Sequence, residues 1–173
     1  MADLMDEGNV NHLLGWVENA MNAAADRMID VERSQPELAF AAIGETLWWV
    51  CILDDALRRR FSRRYTALSR EDPYTQDLLN ALRHARNRFA HSLEIVEYVE
   101  PTDFTGGAWE GGYRVLWKWA SLPELPKGRG KSGEELYEQI LAGKDVKQSL
   151  VQALTHLRTG VQVLRRRPGL GGG

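Results

Sequence analysis

The sequence predicts an all-α fold: an antiparallel bundle of four to five helices carrying a small β-hairpin insertion near residues 104–120. Three observations predict it. Apolar residues recur at steps of three and four through several long segments. Proline and glycine punctuate the chain between those segments. One short stretch instead alternates with period two, the mark of a strand.

The elements follow in order. Val10, Leu13, Leu14, Val17, Ala20, Met21, Ala24, Met28 and Ile29 mark an amphipathic helix over residues 9–33. Ser34-Gln35-Pro36 then breaks the chain, with Ser34 placed to cap a second helix and Pro36 suited to its first turn. That helix, from about Pro36 to Phe61, is apolar on most sides, as a central bundle helix should be. Residues 62–72 read as a connection. Asp72-Pro73 opens a third helix, whose stripe of Leu78, Leu82, Ala85, Phe89, Leu93 and Val96 carries it to about Glu97. Tyr113 to Trp119 alternates as a strand, expected to pair with a segment near Tyr98–Phe104. Glu134–Leu141 reads as a short helix, and Lys144 to about Arg167 as a long one built on Val146, Leu150, Val151, Leu154, Leu157, Val161 and Leu164. Residues 1–167 are thus expected to form one domain, with an insertion at about 100–132 and a disordered tail at 168–173.

Bulk properties narrow the function. At 173 residues a single domain buries roughly 70% of its unfolded surface, so neither a metal nor a disulfide is required for stability. The single cysteine, Cys51, lies between Val50 and Ile52 and is expected to be a buried thiol in a reducing compartment. No apolar run reaches the ~20 residues of a membrane helix, and the acidic start Met1–Glu7 lacks the basic opening of a signal peptide, so a cytoplasmic protein without membrane partners is expected. The net charge of −2 argues against a general nucleic-acid coat. The arginines are nonetheless clustered. Arg58, Arg59, Arg60, Arg63, Arg64 and Arg70 form one group, and Arg165–Arg167 another; the first is either a solvated helix end or an RNA contact.

The chemistry concentrates in Arg86-Asn87-Arg88-Phe89-Ala90-His91, on the third helix. At 100° per residue His84, Asn87, Arg88 and His91 gather opposite the apolar stripe, with Arg86 on the border. Metal-free RNA cleavage needs a group to take the 2′-OH proton, charge stabilisation on phosphorus, and a proton for the leaving 5′-oxygen. A histidine near neutral pH can move the protons, and an arginine can hold the phosphorane charge. One such histidine per chain serves half of that chemistry. A symmetric dimer that joins two copies of the helix supplies the rest.

This run resembles the Arg-(polar)-x-x-x-His signature of HEPN domains, all-α domains of which many are metal-independent endoribonucleases. An Arg-x-x-x-x-His spacing arises by chance about 0.4 times in a chain of this composition, and requiring Asn after the Arg lowers that to about 0.01–0.02. The resemblance implies a homodimer with a composite site between motif helices. It implies phosphate stabilisation by Arg86, acid–base chemistry by His91, and a supporting polar role for Asn87. It further implies a toxin or phage-defence role, with RNA as substrate, an antitoxin or regulatory protein as a further partner, and no cofactor or metal. The hairpin is not part of the family pattern. A toxin subgroup carries a modifiable Tyr two residues after the His; Leu93 stands there, which removes that form of control.

Secondary candidates carry alternatives. Arg88, His84, Arg58 and Arg59 are candidate RNA contacts, or else surface residues. Glu45, Asp54 and Asp55 either orient a catalytic side chain across the bundle or pair with neighbours such as Arg58 and Arg59. Tyr113, Val115, Trp117 and Trp119 share a strand face, which either stacks unpaired bases or packs on the bundle. Three functions compete: an RNA-cleaving enzyme, a HEPN-like module that binds RNA, a nucleotide or a protein without turnover, and a dimerisation bundle.

Overall fold

The computed structural model describes residues 7–31, 36–89, 95–99, 114–118 and 131–165. They form a helical bundle with one small antiparallel sheet, the architecture the periodicities predict. Helix α1 (Glu7–Val31) packs along α2 (Pro36–Arg60), where Ala24 and Ala25 of α1 and Ala39 and Ala42 of α2 are buried small residues that let two helices approach closely. Of the predicted α1 stripe, Leu14, Met21, Ala24 and Met28 are buried, whereas Leu13 and Ile29 are exposed. Helix α2 is the central element, with contacts to α1, α3, α4 and α6, and it buries Ile43, Leu47, Val50, Cys51, Leu53 and Leu57.

Residues 62–71 form a helix, α3 (Ser62–Glu71), where a connection is expected from sequence. Only Tyr65 and Ser69 of α3 are buried, too few to make an apolar stripe, so tertiary contacts rather than pattern hold it. Tyr65 Oη donates to Asp54 Oδ1 at 2.6 Å, and Arg64 donates to the carbonyls of Val163 and Leu164 at the end of α6. Asp72 then caps α4 (Pro73–Phe89) as expected, accepting from the Thr75 backbone N–H at 3.0 Å. Those hydrogen bonds hold the Asp72 carboxyl below its ordinary range.

Helix α4 does not reach Glu97. Val96–Val99 is strand β1, paired antiparallel with β2 (Arg114–Trp117) in the register Val96↔Trp117 and Tyr98↔Val115. Val96 fits the helical stripe by spacing, but the run Ile95, Val96, Val99 is β-branched, and pairing with β2 decides its conformation. The segment after the next helix covers the other edge of β2: Trp117 N–H donates to Lys144 O, and Gly143 N–H to Trp117 O. Val115 and Trp117 are fully buried, so this strand face packs on the core; Tyr113 and Trp119 lie outside the described residues.

Helix α5 (Lys131–Leu136) runs into a π-helical turn, Tyr137–Leu141, and the chain closes with α6 (Val146–Arg165). Every apolar residue predicted for α6 is buried except Val151. Arg158 donates to Asn22 and Arg165 pairs with Glu18, so α6 lies antiparallel to α1. One core unites the helices and the sheet. Among the described residues no helix is long and apolar enough to cross a membrane. Ser34, Leu93 and the tail from Pro168 lie outside the described residues.

Candidate active site on helix α4

Helix α4 crosses α2 antiparallel, and its side chains meet α2 in sequence from both directions. Asn80 meets Arg58, Arg83 meets Asp54 and Asp55, Arg86 meets Trp48, and Phe89 meets Phe40. The last contact fixes the motif end of the helix. Phe89 stacks on Phe40 with ring centroids 4.6 Å apart, and its ring sits over Gly44 so closely that a Cβ there would fall 2.6 Å from it. Gly44 is therefore a notch cut into α2 for a residue inside the motif.

Arg86 lies one turn earlier. Its Nε and Nη2 both donate to Asn87 Oδ1, at 3.2 and 2.9 Å, and its guanidinium carbon lies 5.7 Å from the centre of the Trp48 indole. Asn87 is exposed, and Trp48 is 51% exposed. Asn87 thus orients Arg86, the role an amide beside a phosphate-binding guanidinium can fill. His91 lies outside the described residues.

The rest of the α4 polar face is not open. The helical wheel places Arg88 and His84 outward, but α5 and the π-helical turn pack over them. Arg88 is 4% exposed; its Nε donates to His84 Nε2 at 3.4 Å, and its guanidinium pairs with Glu134 at 3.7 Å. His84 packs near Gly133 and lies 5.9 Å from the Tyr137 ring. Burial, reinforced by the Arg88 charge, lowers the His84 pKa against the weaker pull of Glu134. The two residues tie α5 to α4, a structural use of side chains expected to reach RNA.

A second polar cluster lies towards the start of α4. Asp54, 1% exposed, accepts from Arg58, Arg83 and the Tyr65 hydroxyl, while Asp55 accepts from Arg83 at 2.9 Å. Asn80 Oδ1 accepts from Gln76, Arg58 and Arg83. Burial, with the Asp54 charge and hydrogen bond added, pushes the Tyr65 hydroxyl pKa well up. Burial alone would lower the Arg83 pKa, but Asp54 and Asp55 more than offset it and the guanidinium stays charged. The network joins α2, α3 and α4, and its donors and acceptors satisfy one another. Arg58 is committed to it, whereas Arg59 is exposed on α2, as are Arg60, Arg63 and Arg70 nearby. Asp54 and Asp55 hold Arg83, not Arg86, and Glu45 pairs with Arg27.

Cys51 sits between these two regions, and burial pushes its thiol up to about 12 despite the opposing charges of Arg86 and Arg83, so it is a packing residue and no nucleophile. Among the described residues no group of three or more His, Cys, Asp or Glu is arranged to hold a metal ion. Sequence reasoning missed Trp48. The doublet Trp48-Trp49 carries a signal, because adjacent helical residues point about 100° apart and a helix that buries one turns the other away from it.

Comparison with known proteins returned no match among family models, curated proteins or solved structures.

Proposed function

We propose that this chain is a metal-independent endoribonuclease of HEPN type, working as a homodimer with Arg86, Asn87 and His91 of each copy at a shared site. The observation that carries this reading is the position of Arg86. It is partly exposed, oriented by Asn87 and backed by Trp48, while its neighbours Arg83 and Arg88 are held by carboxylates of other helices. A guanidinium held in that way is prepared for a phosphate.

In the reaction, His91 takes the proton from the 2′-OH, and the 2′-oxygen attacks phosphorus. Arg86 holds the charge that accumulates on the phosphoryl oxygens. The bond to the 5′-oxygen breaks as that oxygen receives a proton from the partner's His91, leaving a 2′,3′-cyclic phosphate and a 5′-hydroxyl. With His84 turned inward, each chain contributes one histidine, and the dimer supplies the second. The proposal includes a cytoplasmic toxin or phage-defence role under the control of an antitoxin or regulatory protein. Induced expression in bacteria tests it: wild type is expected to arrest growth, and His91→Ala to relieve the arrest at equal protein level. Arrest that persists in His91→Ala, with RNA bound but uncut, would favour the binding-module reading instead.

A further inference from the structure

We infer that Trp48 is a base-stacking subsite, which makes the ligand at Arg86 an unpaired nucleotide rather than a base-paired one. The inference rests on the proposed RNA reading and specifies what that site accepts. Tryptophan is among the most thoroughly covered residues on average, yet half of the Trp48 surface is open. It stands on α2 with the guanidinium that the motif presents over one face of its ring, 5.7 Å from the ring centre, so a base would stack on the opposite face. An aromatic plane beside a phosphate-binding cation is the pairing that single-stranded nucleic-acid sites use: the ring takes the π-face of a base and the cation takes the adjoining phosphate. In a duplex the base faces are already occupied by their neighbours, so an indole on a firm helix cannot stack on one without unstacking it.

Asn87 sharpens the arrangement. By taking Nε and Nη2 of Arg86, it fixes the plane of the guanidinium relative to the indole. Gly44 and Phe89 lock α4 against α2 one turn away from that pair. The subsite is therefore set before any ligand arrives, and selectivity for unpaired RNA comes from a residue outside the motif.

The test is binding of an uncleavable 2′-O-methyl oligoribonucleotide, single-stranded and as a duplex, measured by fluorescence anisotropy, with the oligomeric state of each variant measured by light scattering. Trp48→Ala is expected to weaken single-strand binding by roughly five- to a hundredfold, with Trp48→Phe restoring most of it. The same variant should narrow the preference for single strand over duplex. Arg86→Ala should weaken both forms. Unchanged single-strand binding by Trp48→Ala, with binding lost in Arg86→Ala, would overturn the subsite and leave the nuclease reading standing. A dimer that dissociates in Trp48→Ala would overturn it in favour of a subunit contact. Wild type that binds neither form would overturn the RNA reading and the subsite together.

Discussion

Arg83 and Arg86 stand one turn apart on α4, and both reach towards α2, yet they meet opposite surroundings. Arg83 finds two carboxylates and an amide, in a network completed by Arg58 and a buried tyrosine hydroxyl. Arg86 finds the amide next to it and the face of an exposed indole. The first guanidinium is ion-paired with two carboxylates and committed to the fold. The second lies over an aromatic surface. Residue type and helix are the same, so their partners separate a guanidinium that holds the protein together from one that can hold a ligand.

Removing the anion at the centre of the first region should produce the largest effect. Asp54→Ala leaves Arg58, Arg83 and the Tyr65 hydroxyl without their shared acceptor, and a loss of about 3–5 kcal/mol in urea unfolding is expected. A loss below about 1 kcal/mol would mean that the cluster does not hold α2, α3 and α4 together. Arg83→Met should cost less, about 1–3 kcal/mol, because Arg83 is a quarter exposed and its removal leaves Asp54 with Arg58 and Tyr65. Gly44→Ala comes next. The new methyl group displaces Phe89, a strain of about 1–3 kcal/mol that better helix propensity offsets by up to about 1 kcal/mol. Its larger consequence should be in cleavage rate, since the displaced turn carries Arg86. Arg86→Met should cost no more than about 1 kcal/mol, the worth of one exposed cation–π contact.

The pH profile of stability sharpens the contrast from another side. Burial, chiefly, depresses the pKa of both His84 and His156, so their neutral forms belong to the folded state. The unfolded chain then binds protons more readily than the folded one. Stability is complete above the ordinary histidine pKa of about 6.5 and falls as the pH drops through the lowered folded values. Urea midpoints should therefore decline between about pH 7 and pH 5, and His156→Gln should flatten part of that decline. A midpoint that rises on acidification would contradict the buried, neutral assignment.

Much of this architecture can be read from periodicity. The α6 stripe, the Asp72 cap and the strand at 114–117 are local signals, and local chemistry satisfies them. The misreadings share one cause: a distant segment decides the outcome. Helix α3 is helical because Tyr65 reaches Asp54 and Arg64 reaches the end of α6, neither of which is visible within residues 62–71. Val96 leaves the helical pattern because residues some twenty positions later offer it a strand partner. Arg88 and His84 sit on the polar side of their own helix, as a helical wheel places them, but the wheel does not reveal that α5 lies on that side. The Asp54–Arg58 pairing was legible at four-residue spacing. Which arginine of α4 Asp54 and Asp55 select, and which tryptophan of the doublet faces outward, depend on how α2 and α4 cross.

The central claim is that the Arg86 region, and not the neighbouring cluster, performs metal-free RNA cleavage. It is tested most directly by cleavage of an end-labelled single-stranded RNA in excess chelator, comparing wild type, Arg86→Met and Arg83→Met, with product ends identified by mass spectrometry. Wild type and Arg83→Met are expected to leave 2′,3′-cyclic phosphate ends at comparable rates under conditions where both are folded, and Arg86→Met to cut at least about a hundredfold more slowly. Undiminished cleavage by Arg86→Met, or RNA left intact by the wild type, would contradict it.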